Sequence, residues 1–408
     1  MAQQIRTSIC DVYLRAKPVA LVSFTVAAIL LAVVPVAEAQ TFTVLHAFGG
    51  TGDGSFPLSG VTMDAHGNLY GTTTGSLTNS TVYKLTHTSS GWIYSQLYTH
   101  GTNIEARVAI GPDGSLYGTE STGGPESLGV VFNLRPPATF CHAIDCFWTL
   151  TPIYTFQGPD GDFPTTITFD SAGNIYGTTV QGGVTYGGVV YKLTNNQGSW
   201  SYTQITDFDG TTISEPGNGV VVDASGNLYG TTLAYPGQIF EVTSSGQPQL
   251  IYQFDCCMNG LDTYAGVILD NEGNLYGTTA FRGPGGNGGT TYELSPSNGD
   301  WTLATLQGFP GPLECNGTIG TANLLMDPQG NLYGTSFCGG AYDYGEVYKL
   351  APSDGGWIYT DLHDFTGGED GCYPWDGLGL DSEGNLYGTA SECGQYGGHA
   401  GTLWQITP

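Results

Sequence analysis

The side chains best equipped for chemistry in this chain are aspartates set in glycine-rich loops, with aromatic rings beside them. Asp53, Asp160, Asp162, Asp262, Asp343 and Asp370 fall in such loops, accompanied by Phe56, Phe163, Tyr373 and Trp375. Converging carboxylates would suit calcium, which takes six to eight oxygens, and open aromatic faces would stack on sugar rings. Each group also has a plainer role. One aspartate per loop falls short of a calcium shell, Asp-Gly is foremost a turn former, and aromatic rings more often bury their large apolar area in packing. His399 and Arg282 are solitary in sequence, so neither is assigned a catalytic role. Sharper signatures are missing: the chain holds no G-x-S-x-G, H-E-x-x-H, G-x-x-x-x-G-K-[ST] or C-x-x-C-H. Glu369 and Asp370 are neighbours in sequence, which says nothing of the cross-site spacing glycosidases need.

Composition limits what frame could carry these loops. Among 408 residues, 64 are glycine and only 11% are charged, which points to turn-dense all-β structure. A net charge of −27 with nine basic residues argues against nucleic acid and anionic membranes and favours a neutral or cationic partner. The first 39 residues read as a signal peptide. Arg6, Arg15 and Lys17 precede the apolar run 19–34, and Ala37-Glu38-Ala39 offers a cleavage site before Gln40. An uncleaved anchor is the competing reading, although the run is short for a spanning helix. Past residue 39 the chain keeps six basic and 34 acidic residues, has no second stretch apolar enough to span a bilayer, and is read as one domain, 40–408. Eight cysteines remain there, an even number suited to an oxidising compartment; without paired ligand spacing, zinc is disfavoured.

A phrase without reactive groups recurs through this domain. It reads DAHGNLYGT at 64–72, GPDGSLYGT at 111–119, DSAGNIYGT at 170–178, DASGNLYGT at 223–231, DNEGNLYGT at 270–278, DPQGNLYGT at 327–335 and DSEGNLYGT at 381–389. Its tyrosines (Tyr70, Tyr117, Tyr176, Tyr229, Tyr276, Tyr333 and Tyr387) are spaced by 47 to 59 residues, which fits four-stranded propeller blades. An apolar run precedes each phrase (GVTMD, GVVVD, GVILD, NLLMD) and predicts inner strand a. The phrase makes the a–b turn and strand b, in which Asp accepts backbone bonds and Gly takes positive φ. Strand c follows a Gly-rich loop, as VYKL at 82–85 or LWQI at 403–406, and strand d runs from Trp to Phe, as at 200–208 and 357–365. The segment 41–48, TFTVLHAF, matches the end of a strand d, whereas the last repeat stops after strand c. This predicts a seven-bladed β-propeller closed by 41–48 completing the last blade, with no exposed edges left over.

The combination of L-H-x-F, G-x-D-G-x-x-P, D-x-x-G-N-L-Y-G-T-T, a GG-rich loop and G-x-V-Y-K-L resembles the GloVer (Gloeo/Verruco) tandem-repeat family, overlapping with the HAF extracellular repeats. The resemblance spans 41–408 and implies a bacterial propeller outside the cytoplasm. It brings no catalytic residues. The chain departs from the pattern at Gly111, which replaces the aspartate in the second copy, and it shows no sorting anchor after the repeats, which leaves surface attachment open.

Blade topology puts the d–a and b–c loops on one face and the a–b and c–d turns on the other. The loop-rich face holds the variable residues. Phe163, Tyr373 and Trp375, with Asp160, Asp162 and Asp370, are the expected ligand contacts there. Topology also brings Cys315 to Cys338 and Cys372 to Cys393 within single repeats; Cys141 and Cys146 would pair locally, and the adjacent Cys256 and Cys257 are bonded to each other or elsewhere. The functional expectation is a secreted, periplasmic or surface-held monomer, not stably inserted in a membrane, that binds an extracellular glycan or surface protein without catalysis. A glycan-active hydrolase or lyase is the alternative, and a calcium-stabilised structural protein the second. No cofactor is required by the sequence, calcium at Asp53, Asp160 or Asp370 being the open possibility.

Overall fold

A computed structural model describes residues 40–50, 52–75, 80–100, 104, 106–137, 147–255, 259–311 and 323–408. The expected leader 1–39 lies outside the described residues, as do Cys141, Cys146, Cys256, Cys257 and Cys315. The described part of the repeat unit is all-β. It forms seven four-stranded antiparallel sheets: 62–100, 109–155, 162–207, 221–253, 268–308, 325–364, and 379–407 joined by the strand Thr41–Ala47. The chain is a seven-bladed propeller. Thr41–Ala47 pairs with Thr402–Thr407, from Thr41 opposite Thr407 to Ala47 opposite Thr402, so the last blade takes its outer strand from the beginning of the repeat unit. Inner strands are shorter than the apolar runs suggested. Six have two-residue ladders, such as Thr62–Met63, and only blade 3 extends, as Asp162–Phe169.

The repeated phrase is explained residue by residue. In Asp64-x-x-Gly67-Asn68-Leu69-Tyr70, Asp64 Oδ1 accepts from the N–H of His66 and Asn68, both at 2.9 Å, and Oδ2 accepts from Asn68 Nδ2 at 2.7 Å and Tyr70 OH at 3.1 Å. Gly67 holds φ +76, which glycine adopts without strain. In blade 2, where Gly111 removes the aspartate, Asp113 takes over, accepting from Ser115 and the Tyr117 hydroxyl. The next residue, Gly71, lies directly opposite Tyr83, and the pairing recurs through Gly277–Tyr292 to Gly388–Trp404. A β-carbon at any of these three glycines would enter the facing ring, closer than the 3.0 Å below which real β-carbons are not found. The threonine that follows joins blades. Thr119 Oγ1 donates to Thr165 O at 3.0 Å, Thr178 to Gly217 O at 2.7 Å, Thr231 to Ala265 O at 2.8 Å and Thr389 to Ser59 O at 3.2 Å, each in the next blade around the ring.

The hydrophobic core is divided among the seams. Each of seven clusters combines side chains of two adjacent blades, such as Tyr117 and Val131 of blade 2 with Ile167, Ile175 and Tyr191 of blade 3. A second lock sits at the loop-rich end of four seams. Pro57, Pro164, Pro216 and Pro374 pack on Gly401, Gly129, Gly188 and Gly345 of the preceding blade, where any side chain would collide with the proline ring. The Gly-rich loop before strand c therefore provides room for the neighbour. Cys372 and Cys393 form the expected disulfide, which closes a 21-residue separation, and Cys338 is buried. No helix among the described residues is long and apolar enough to cross a membrane.

Candidate functional site

Around the axis, one position per blade precedes the first buried apolar residue of strand a. The seven occupants are Gly60, Arg107, Thr166, Gly219, Gly266, Asn323 and Gly377. Space explains two of the glycines: a β-carbon at Gly60 would strike the Gly377 carbonyl, and one at Gly219 the Thr166 carbonyl. Arg107 departs from this pattern and lies across the opening. Its Nε donates to Thr62 Oγ1 at 3.0 Å and its Nη2 to the Val61 carbonyl, while Nη1 reaches blade 7, 3.4 Å from where a Gly377 β-carbon would stand. Beside it, Asp376 accepts from Gly60 N at 2.9 Å and Asn323 Nδ2 at 3.1 Å, and Asn323 Oδ1 accepts from Gly266 N at 2.8 Å. This chain of bonds ties blades 1, 7, 6 and 5 together at the axis. Burial pulls the Arg107 guanidinium below its ordinary value, and the Asp376 charge opposes the shift.

Above this floor opens a cavity of about 750 Å³ on the face of the d–a and b–c loops, lined by Arg107, Phe163, Gln181, Tyr264, Trp375 and Asp376 among others. Phe163, Tyr264 and Trp375 come from blades 3, 5 and 7 and leave 37%, 37% and 38% of their surface exposed. Exposed rings of this size around one hollow are the feature that calls for a ligand.

The structure separates the residues expected from sequence. Phe163 and Trp375 line the cavity, whereas Tyr373 stands behind it, stacked on Phe337 at 4.7 Å; Phe337 in turn meets Trp375 edge-on at 5.1 Å. Phe163 and Tyr373 hold positive φ (57° and 59°), but so do Phe56 and Glu215 at the same pre-proline position of other blades. The strain therefore belongs to the seam and not to one ligand. Asp160 and Asp370 are bound within their own loops. Asp160 accepts from Gln157 N at 2.7 Å and from the Tyr154 hydroxyl, and Asp370 from Thr366 N at 2.9 Å with His363 Nε2 at 3.2 Å. Asp53 repeats this clamp with Gly49 N at 2.9 Å and His46 at 3.3 Å. The three carboxylates lie in separate blades, each turned to its own strand d. Asp162, at the start of its strand, is raised above the ordinary carboxylate range by burial. His399 stacks on Phe56 at 4.3 Å and faces Glu392 at 3.5 Å.

Arg107, Tyr264, Asn323 and Asp376 were not among the residues expected from sequence. The information was present in the repeats: aligned on their apolar residues, SGV, ARV, TTI, NGV, AGV, ANL and DGL expose Arg107, Thr166 and Asn323 as exceptions in a mostly glycine column. A further acidic group lies on the outer rim of the same face, where carboxylate oxygens of Glu346, Asp361 and Asp364 lie within 4.8 Å of one another beside a hollow of about 420 Å³. Burial raises Glu346 to about 7, with Asp361 and Asp364 adding repulsion.

Fold and site together define a tandem-repeat propeller with a ligand-sized mouth cavity. The chain belongs to the Gloeobacter/Verrucomicrobia repeat family, whose model matches residues 74–264 and 262–408. No curated protein matches the chain. Among solved structures, a luciferin-regenerating enzyme is 10% identical with TM-score 0.46, covering 90% of this chain and 95% of its own. A Bacteroides uniformis protein named as a candidate 6-phosphogluconolactonase is 12% identical with TM-score 0.48, covering 76% and 84%. Likenesses at that level carry no argument about the site.

Proposed function

We propose that the chain is an exported binding propeller whose ligand seats in the mouth cavity between Phe163, Tyr264 and Trp375. The observation that carries this reading is the convergence of three partly exposed rings from three blades on one hollow of about 750 Å³. Hydroxyl and amide groups between the rings suit an extracellular glycan or a glycosylated surface, with the rings supplying stacking. Export is supported by the leader reading and by the Cys372–Cys393 disulfide, a bond favoured in oxidising compartments.

The test is a binding and turnover screen of purified protein against extracellular glycans and bacterial surface fractions, with calcium present or chelated. Saturable binding without substrate loss, abolished by Trp375→Ala and weakened by Phe163→Ala, supports the reading. Binding untouched by both substitutions removes the site from this cavity. Turnover that disappears when one carboxylate is replaced establishes an enzyme instead, and binding or folding lost only on chelation favours the calcium-stabilised alternative.

A further inference from the structure

We infer that the mouth cavity selects a sugar ring bearing a carboxylate, of the uronic-acid class, with Arg107 as the group that reads the charge. The inference rests on the binding reading above and deepens it. Basic residues are scarce past residue 39, and most are committed elsewhere. Lys84, Lys192 and Lys349 lie 5.5, 5.0 and 5.4 Å from the ring centres of Tyr70, Tyr176 and Tyr333, and Arg135 pairs with Asp113 at 3.4 Å. Among the described basic residues, Arg107 alone lines the cavity. It also stands at an axial position where four of the seven blades keep glycine, Gly60 and Gly219 for want of space.

The floor contains both charge signs, so its free hydrogen-bonding capacity decides which ligand fits. Asp376 is engaged on both oxygens, by Gly60 N and by Asn323 Nδ2. Arg107 uses Nε and Nη2 on Thr62 and Val61, and Nη1 donates to no group among the described residues. A planar guanidinium with unspent N–H groups in a partly desolvated hollow is matched by a carboxylate. The walls then choose the remainder of the ligand. Phe163, Tyr264 and Trp375 offer faces for a ring, and Thr122, Thr166, Gln181 and Asn218 offer hydroxyl and amide partners, which suits a polyhydroxylated ring better than an aromatic acid. A long polyanion meets repulsion from the acidic surface, but a single carboxylate within the cavity gains direct hydrogen bonds from the Arg107 guanidinium, which offset the Asp376 charge beside it.

The experiment compares methyl β-glucuronide, methyl β-glucoside and methyl β-glucosaminide by saturation-transfer NMR and calorimetry on the purified protein. The glucuronide should bind about ten-fold or more tightly than the glucoside, the scale of one charge-assisted contact. Arg107→Gln should bring the two to the same affinity, Arg107→Lys should keep part of the preference, and Trp375→Ala should weaken both sugars. Should Arg107→Gln not fold, the wild-type ratio and its decline with added salt still decide the matter. Equal binding of glucuronide and glucoside overturns the inference and leaves the binding reading standing, as does preference for the glucosaminide. Absence of binding by all three overturns the inference, and the glycan and surface-fraction screen then judges the binding reading separately.

Discussion

The two faces of the ring treat carboxylates in opposite ways. On the face of the a–b turns, burial alone would raise Asp64, Asp170, Asp270, Asp327 and Asp381, but hydrogen bonds from the following Asn and neighbouring N–H groups outweigh it and hold all five below the ordinary value of 3.8. On the loop-rich face, burial outweighs the fewer hydrogen bonds made by Asp162, Asp262, Asp361 and Glu346 and raises all four, with neighbouring carboxylates adding to the shift of Asp361 and Glu346; Asp209 is an exception, its carboxylate capped by the N–H groups of 211–213. Acids satisfied by their own turn contribute to stability, as Asp53, Asp160 and Asp370 do on the second face, whereas acids strained toward neutrality have capacity left for other work. The repeated phrase belongs to the first, and the cavity with its exposed rings to the second.

Four experiments would break or sharpen that contrast. The largest effect is expected from deleting 41–47, which strips Thr402–Thr407 of its partner and exposes an edge in the last blade. Cooperative thermal unfolding should be lost or the protein should aggregate; a monomer with unchanged melting would refute closure by this strand. Next is Gly277→Ala, whose β-carbon has no room beside Tyr292 and should cost about 2–3 kcal/mol. Gly355→Ala, with no atom within 4 Å of its new methyl, serves as the control and should change stability by less than about 0.5 kcal/mol. Similar urea midpoints for the two variants would defeat the ring-clearance account.

The third concerns Glu346. Its ordinary value is 4.5, and burial followed by the Asp361 and Asp364 charges raises it to about 7 when folded. The folded state therefore holds a proton that the unfolded chain has released, so the linked stability is complete below pH 4.5 and is lost as pH rises to about 7. Glu346→Gln should flatten this decline, by about 2 kcal/mol between pH 5 and 8. An unchanged slope in urea titrations would show that the carboxyl titrates normally. The smallest effect is expected at Asp270, where alanine removes the acceptor for Glu272 N, Asn274 and Tyr276, at a cost of about 1–2 kcal/mol. Because the folded Asp270 lies below 3.8, its contribution is present above that pH and fades as pH falls further. Asp270→Ala should therefore lose less stability than the native protein on acidification; a parallel loss would show that the turn carboxylate is not depressed.

How far the sequence announced these features depended on whether a repeat displayed them. The phrase, its turn aspartate, the closing segment and the Cys372–Cys393 pair follow from pattern and topology. The clearance of strand-c rings by the phrase glycines did not, because a facing pair becomes visible only once register is fixed, as for Gly71 and Tyr83. Asp160 and Asp370 resembled ligand residues because an acid in a loop looks the same whether it holds a ligand or its own backbone. Arg107 escaped notice for the opposite reason. It is an isolated basic residue in a stretch without a motif, and its meaning comes from the glycines it replaces in blades far apart in sequence.

The pairing of Thr41–Ala47 with Thr402–Thr407 also sets an order of assembly. As the chain is synthesised, its blades can form in succession from nearby segments, yet the earliest strand of the repeat unit must wait for the latest. The entropy of closing so large a loop grows only logarithmically with its length, so the finished ring bears a modest thermodynamic cost, while the search delays completion. Throughout that interval two strand edges remain unpaired and open to edge-to-edge association with other chains. Misassembly should therefore concentrate at this one seam, with exchange of the first strand between two copies as the characteristic by-product.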